Sequence, residues 1–128
     1  MRVLLDTHIL LWALTEPKKL SRETRARLSD PEAEVLFSAA SIWEIAIKAQ
    51  LKRASFAGRP AEIAEAAVSS GFVELPVRAE AAALVARLPL HHRDPFDRLL
   101  IAQAMAEPAR FCTVDAALAP YSNLASFL

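Results

Sequence analysis

The chain has 128 residues, of which 15 are Lys or Arg and 15 are Asp or Glu, so the formal net charge is zero and the pI is about 6.8. With 54% hydrophobic residues and a mean hydropathy of +0.24 it is no disordered segment, and a single domain over residues 1–128 is expected. The charge balance excludes a general electrostatic footprint for nucleic acid; a bound polyanion must be held by local basic residues or by metal ions.

Other classes fall away on the same reading. No uninterrupted apolar run approaches the ~18 residues of a membrane span, and the first residues lack a signal-peptide layout. Cys112 is the only cysteine, which excludes an internal disulfide and a Cys-based metal site. A cytoplasmic protein without membrane contact is therefore expected. Gly58 and Gly71 are the only glycines, so phosphate-cradling glycine loops are excluded.

The first predicted element is Val3-Leu4-Leu5, a short unalternated apolar run that reads as a strand buried on both faces. It runs directly into Asp6 and a helix reaching about Leu14. Pro17 breaks that pattern. Ser21 reads as the N-cap of a helix over Arg22–Ser29, closed by Asp30-Pro31. Val35-Leu36-Phe37 is a second strand. Ser38 follows, then a helix from Ala39 to about Leu51. On that helix Ile42, Ile45, Ala46 and Ala49 form an apolar face, with Ser41, Glu44, Lys48 and Lys52 as the opposite stripe.

Arg53–Pro60 reads as a loop and Ala61–Ser69 as a helix that exits at Gly71. Phe72–Leu75 is a third strand, and Arg78–Leu88 an alanine-rich helix. Asp94-Pro95-Phe96-Asp97 opens a helix with an acid at the N-cap, proline at the first position and an acid at the third. Leu99, Leu100, Ile101, Ala102 and Met105 make this helix apolar around most of its circumference, so it should be buried. Phe111–Val114 is a fourth strand, ended by Asp115. Ala116–Ala119 is a short helical turn, and Asn123–Leu128 holds a last edge strand. Strands alternating with helices, without hairpin signals, predict a three-layer α/β/α sandwich around a mostly parallel sheet. Right-handed crossovers then place the carboxyl ends of the strands on one edge.

Asp6 and Asp115 follow strands, Asp94 and Asp97 open a buried helix, and Glu44 sits in the second turn of its own helix. Such hard oxygen ligands suit Mg²⁺ or Mn²⁺, and a divalent ion relieves the repulsion between crowded carboxylates. Each acid also has a purely structural reading. Asp6, Asp94 and Asp115 are good helix caps, Asp97 complements a helix dipole, and Glu44 stands four residues before Lys48 in the order favoured for a surface ion pair. His91 and His92 are neighbours and point in different directions, so they do not form a ligand pair. With Arg93 they are candidates for a phosphate-contacting loop or a solvated one.

Three longer segments, Leu4-Leu5-Asp6-Thr7-His8-Ile9-Leu10-Leu11-Trp12, Ser38-Ala39-Ala40-Ser41-Ile42-Trp43-Glu44-Ile45-Ala46-Ile47-Lys48 and His92-Arg93-Asp94-Pro95-Phe96-Asp97-Arg98-Leu99-Leu100-Ile101-Ala102-Gln103-Ala104, are followed by Thr113-Val114-Asp115. Together they closely resemble the PIN-domain family, specifically the VapC-type toxins of type II toxin–antitoxin systems, in order and along nearly the whole length. The resemblance implies a PIN-like α/β/α domain with Mg²⁺-dependent endoribonuclease activity. It carries over Asp6, Glu44, Asp97 and Asp115 as the acidic quartet, Asp94 as a fifth contributor, and Thr7 and Thr113 as supporting hydroxyls near the metal. It further implies a homodimer, inhibited by a cognate VapB-like antitoxin whose tail fills the groove. The final acidic motif departs from the usual Thr-Ala-Asp by carrying Val114.

On this reading Asp6, Asp97 and Glu44 hold one Mg²⁺, with Mn²⁺ as a substitute. Asp94 and Asp115 complete or widen the site for a second ion, and water attacks an RNA phosphodiester in line. Arg93, Arg98, His91 and Lys48 are candidates for holding the RNA. The alternatives are a PIN-fold nuclease acting on structured DNA and a non-catalytic doubly wound binding module whose acids only cap helices. A phosphatase with a nucleophilic aspartate would want a second acid where this chain has His8.

Overall fold

Val3, Leu4 and Leu5 are all fully buried, although successive strand side chains point to opposite faces. Both faces of the strand are therefore covered. The structure, a computed structural model, describes residues 1–51, 59–124 and 127–128. Lys52 and most of the expected loop, residues 53–58, lie outside the described residues.

Strands β1 (Arg2–Leu5), β2 (Glu34–Ser38), β3 (Val73–Leu75) and β4 (Arg110–Cys112) form one sheet in the order β3-β2-β1-β4. Every pairing is parallel, with Val3 opposite both Val35 and Arg110, and Leu36 opposite Val73. Helices α1 (Thr7–Thr15), α2 (Arg22–Ser29), α3 (Ala39–Gln50), α4 (Pro60–Ser69), α5 (Ala79–Leu84) and α6 (Pro95–Ala106) occupy the intervals. On one face, Val3, Leu5, Val35, Phe37 and Cys112 pack with Ile9, Leu10 and Leu11 of α1, Ile45 of α3, and Ile63 and Ala67 of α4. On the other, Leu4, Leu36, Leu75 and Phe111 pack with Leu100, Ile101, Ala102 and Ala104 of α6. This is the expected sandwich. Each fully buried Leu or Ile contributes ~1.5–3 kcal/mol relative to exposure, so the two apolar layers fix strand order and register together.

Local signals account for most element boundaries. The Ser21 hydroxyl accepts the Thr24 N–H and starts α2 where expected. Gly71, at φ 91°, closes α4: its N–H reaches the Val68 carbonyl and the next N–H, of Phe72, reaches that of Ala67, a glycine-dependent helix stop. Pro60 belongs to α4 as its first residue rather than to the preceding loop, because proline's missing N–H costs nothing there.

Three expectations are adjusted. The helix expected over Arg78–Leu88 is regular only to Leu84 and tightens to a 3₁₀ turn over Val85–Arg87. The Val85 carbonyl closes that turn on the Leu88 N–H, and the carbonyls of Val85 and Leu88 also accept from the Arg98 guanidinium. Of the last edge strand expected over Asn123–Leu128, residues 125–126 lie outside the described residues; the Leu124 N–H closes a turn on the Tyr121 carbonyl, and Phe127 forms a parallel bridge with Phe111. On α3, the buried positions are Ala40, Ser41, Glu44 and Ile45, so Ser41 and Glu44 of the stripe opposite the apolar face are buried as well. No helix among the described residues is long and apolar enough to cross a membrane.

Candidate metal centre

Parallel strands put their carboxyl ends on one edge, and the order β3-β2-β1-β4 reverses direction at β1. Crevices in open α/β sheets open at such a reversal, where loops leave neighbouring strands on opposite faces. Here Asp6 follows β1 and Thr113 follows β4, and the ladder continues one step beyond the strands as the Asp6 N–H meets the Cys112 carbonyl at 2.9 Å.

A cleft of about 440 Å³ opens at this edge, lined by Asp6, Thr7, His8, Trp12, Glu44, Lys48, His92, Asp94, Asp97, Val114 and Asp115. A second cleft of similar size, about 480 Å³, lies between α2 and the turn after α4, and its lining includes Arg25 and Asp30 as the charged residues. Chemistry rather than volume distinguishes the first: it gathers the acids that the sequence singles out.

Capping and clustering prove compatible. Asp6 Oδ1 accepts the N–H groups of His8 (2.7 Å) and Ile9 (3.4 Å) and so caps α1. Its Oδ2 accepts the Thr113 hydroxyl at 2.6 Å. Thr113 Oγ1 in turn accepts the Asp115 N–H at 3.1 Å, and Asp115 Oδ1 caps the following turn through Ala117. Asp94 Oδ1 caps α6 through the Phe96 N–H at 2.9 Å. A carboxylate has two oxygens and about four lone-pair directions, so a cap leaves acceptor capacity for something else. Thr7, buried in the first turn of α1, donates its hydroxyl to Ser41 Oγ at 2.9 Å and ties α1 to α3.

Glu44 makes the expected pair with Lys48, Oε2 to Nζ at 2.9 Å. It is not a surface pair, because Glu44 is only 4% exposed. Its other oxygen, Oε1, is buried without a hydrogen-bond partner among the described residues. A buried carboxyl oxygen left without a partner is costly, and a cation is what its chemistry calls for.

Asp97 carries the electrostatic signature of the cluster. Its carboxyl is pushed up to about 7, chiefly by burial, with the negative charges of Asp94, Asp6 and Glu44 adding to the rise and the hydrogen bond from His92 opposing it. Asp6, Glu44 and Asp94 thus all act on Asp97, while Asp115 is exposed at the rim. His92 Nε2 lies 3.0 Å from Asp97 Oδ2, and ligand atoms of His92, Asp94 and Asp97 all lie within 4.8 Å of one another, close enough to share an ion. This donor set of carboxylates and one imidazole fits a divalent cation.

The basic candidates separate. Lys48 lines the cleft. Arg93 and His91 are exposed and outside its lining, and the His91 ring packs edge-on against Tyr121 at 5.2 Å. Arg98 corrects its assignment as an RNA contact. It is 7% exposed, and its guanidinium donates to the carbonyls of Pro89, Val85 and Leu88 and to Tyr121 Oη. The planar fork suits several fixed acceptors, so Arg98 braces the 85–92 segment against α6. His8 and Trp12 line the cleft, to which the sequence assigns them no role, and His92, a candidate phosphate contact in sequence, lines it too. Only His92 carried a usable signal, two residues before an N-cap acid at the mouth of a buried helix.

The sequence model of the PIN domain matches residues 3–123. The chain belongs to the PIN domain family. No curated protein matches it in sequence. Among solved structures it is similar to VapBC2 from Rickettsia felis bound to a DNA fragment from their promoter, at 16% identity and a TM-score of 0.72 over 98% of this chain and 97% of that one. It is also similar to VapBC-1 from nontypeable Haemophilus influenzae, at 13% identity and a TM-score of 0.69 over 100% and 97%. VapBC-5 from Mycobacterium tuberculosis, a member of the VapBC family of toxin–antitoxin systems, gives 20% identity and a TM-score of 0.62 over 99% and 95%. At these identities the likeness concerns the PIN fold.

Proposed function

We propose that this PIN domain is a divalent-metal-dependent endoribonuclease and the toxin of a type II toxin–antitoxin pair. The observation that carries the reading is Glu44 Oε1, a buried oxygen without a partner among the described residues, in a cleft shared with Asp6, Asp94 and Asp97. Asp6, Glu44 and Asp97 would hold the ion, with Asp94 and Asp115 completing the site. Mg²⁺, or Mn²⁺ in its place, supplies a Lewis acid that activates water and offsets the charge developing on the phosphodiester.

The chain's own residues do the rest. The N–H groups of His8 and Ile9 and the Thr113 hydroxyl hold the Asp6 carboxylate in one orientation before any ligand arrives, which limits reorganisation during reaction. Thr7 and Ser41 fix the spacing of α1 and α3, hence of Asp6 and Glu44. Lys48 offsets the Glu44 charge on one side and lines the cleft, which supports a role in meeting a substrate phosphate. Asp115 and Val114 at the rim face the arriving strand.

The VapBC structures to which the chain is similar belong to toxin–antitoxin systems, which supports a VapB-like antitoxin as partner; a homodimer as the working form is part of the same proposal. The test is cleavage of RNA and of matched DNA by the purified protein with Mg²⁺, with EDTA, and as Asp6→Asn and Asp97→Asn. Mg²⁺-dependent cleavage of RNA that both substitutions abolish in folded protein is expected. Cleavage by a folded Asp6→Asn variant, or cleavage of DNA alone, overturns the reading.

A further inference from the structure

The acidic cluster has one member of different chemistry. His92 places Nε2 3.0 Å from Asp97 Oδ2, and its ligand atom and those of Asp94 and Asp97 all fall within 4.8 Å of one another. Asp94 and Asp97 stand three residues apart in the first turn of α6 and so share a face. His92 comes from the loop before the helix, and that loop is held firmly. The His92 N–H donates to Tyr121 Oη at 3.0 Å, Tyr121 Oη donates to the Pro89 carbonyl at 2.7 Å, and Arg98 donates to the same carbonyl at 2.9 Å. The adjacent His91 is turned the other way, onto the Tyr121 ring. A second observation points to a cation in the same cleft: the buried Glu44 Oε1 has no partner among the described residues.

Imidazole nitrogen distinguishes between ions. Mg²⁺ is hard, prefers oxygen and keeps several waters, whereas first-row transition-metal dications accept imidazole readily and bind mixed nitrogen–oxygen sites more tightly. We propose that His92 is a nitrogen ligand of the ion held by Asp94 and Asp97, so that the centre favours Mn²⁺ and related first-row dications over Mg²⁺. This rests on the reading of the cleft as a metal centre and adds which ion it prefers and which residue sets the preference. The competing role for the same imidazole is to orient Asp97 through their hydrogen bond. In that role its loss would weaken every ion equally.

Calorimetric titration of Mn²⁺ and of Mg²⁺ into the metal-free chain, His92→Gln and His92→Asp separates the two, with thermal melts as the control for folding. His92→Gln is expected to lose roughly 10–100-fold in Mn²⁺ affinity and to keep Mg²⁺ affinity within about threefold. His92→Asp, with a hard oxygen in place of the nitrogen, is expected to narrow the Mn²⁺ preference. Pulsed electron paramagnetic resonance of Mn²⁺ bound to the unsubstituted chain needs no variant, and coupling to an imidazole nitrogen is expected. Equal losses for both ions, no loss for either, or absence of nitrogen coupling overturns the inference while leaving the metal centre standing. Failure of the unsubstituted chain to bind either ion overturns both.

Discussion

Thr113 donates its hydroxyl to Asp6 at 2.6 Å, joining the ends of two neighbouring parallel strands that lie 107 residues apart in sequence. The same oxygen accepts the Asp115 N–H, so one side chain sets the positions of two acids. Thr113→Val keeps the shape and removes the hydrogen bond. It is expected to reduce stability by roughly 1.5–3 kcal/mol, the range for hydrogen bonds to charged groups, and to weaken metal binding about 10–100-fold, while Thr113→Ser retains both. Denaturant unfolding and metal titration of the two variants check this; a Val variant that binds metal normally would remove Thr113 from the site.

The Asp97 carboxyl, raised to about 7, makes the metal-free fold sensitive to pH in an unusual direction. From the ordinary carboxylate range up to about 7, the folded chain keeps a proton that the unfolded chain has released. Stability from this group is therefore greatest at low pH, falls as pH rises through that window, and stays low above it. The difference between the unsubstituted chain and Asp97→Asn should change by on the order of 1–3 kcal/mol between pH 5 and pH 8, with the asparagine variant gaining at the higher pH. Metal binding at pH 6 should also release protons, seen as a dependence of the binding enthalpy on the buffer. A pH-independent difference between the two proteins contradicts the crowding of Asp97 by Asp94 and Asp6.

Glu44 and Lys48 illustrate what an i,i+4 spacing leaves open. The pair reads identically in sequence whether it lies on the surface or in a cleft, and only the packing of α3 against the sheet edge decides. Because Glu44 is buried, removing its partner leaves an uncompensated charge. Lys48→Met is expected to destabilise the metal-free protein by on the order of 1–3 kcal/mol, and added Mg²⁺ should recover most of it. A loss under ~0.5 kcal/mol, typical of a surface pair, would contradict the burial of Glu44.

Tyr121 Oη accepts the N–H groups of His91 and His92 and the Arg98 guanidinium, and donates to the Pro89 carbonyl. Tyr121→Phe leaves those donors to find other partners or none. A stability loss of roughly 2–4 kcal/mol is expected, together with weaker metal binding because the His92 loop is released. Thermal unfolding and calorimetry check both; normal metal affinity in a destabilised variant would separate the brace from the site.

Much of the fold was legible because local and global signals agree. Val3-Leu4-Leu5 and Val35-Leu36-Phe37 are continuously apolar since both faces of a parallel sheet are covered, and Ser21, Gly71 and Asp94-Pro95 mark helix ends through their own backbone chemistry. Asp6, Asp94 and Asp115 were legible as caps and as ligands, and the choice was a false one, since the capping oxygen does not exhaust the carboxylate. What sequence left open is long-range. Spacing along the chain does not reveal that β4 lies beside β1, which is what brings Thr113 to Asp6. Nor does it reveal that Arg98 turns inward, because a charged residue on an apolar helix reads as solvent-facing until its acceptors, the carbonyls of Val85, Leu88 and Pro89, are in place. Sequence also treats His91 and His92 alike, as phosphate-contact candidates; the two are chemically identical, and only the Tyr121 anchor orients one toward the acids.

In the proposed function the acids act through a shared ion. Calorimetric titration of Mg²⁺ and Mn²⁺ into the metal-free chain and into Asp6→Asn tests this most directly. Saturable binding to the unsubstituted chain, lost in an Asp6→Asn variant that still unfolds cooperatively, is the expected result. Undiminished binding by folded Asp6→Asn, or no binding of either ion by the unsubstituted chain, would contradict it.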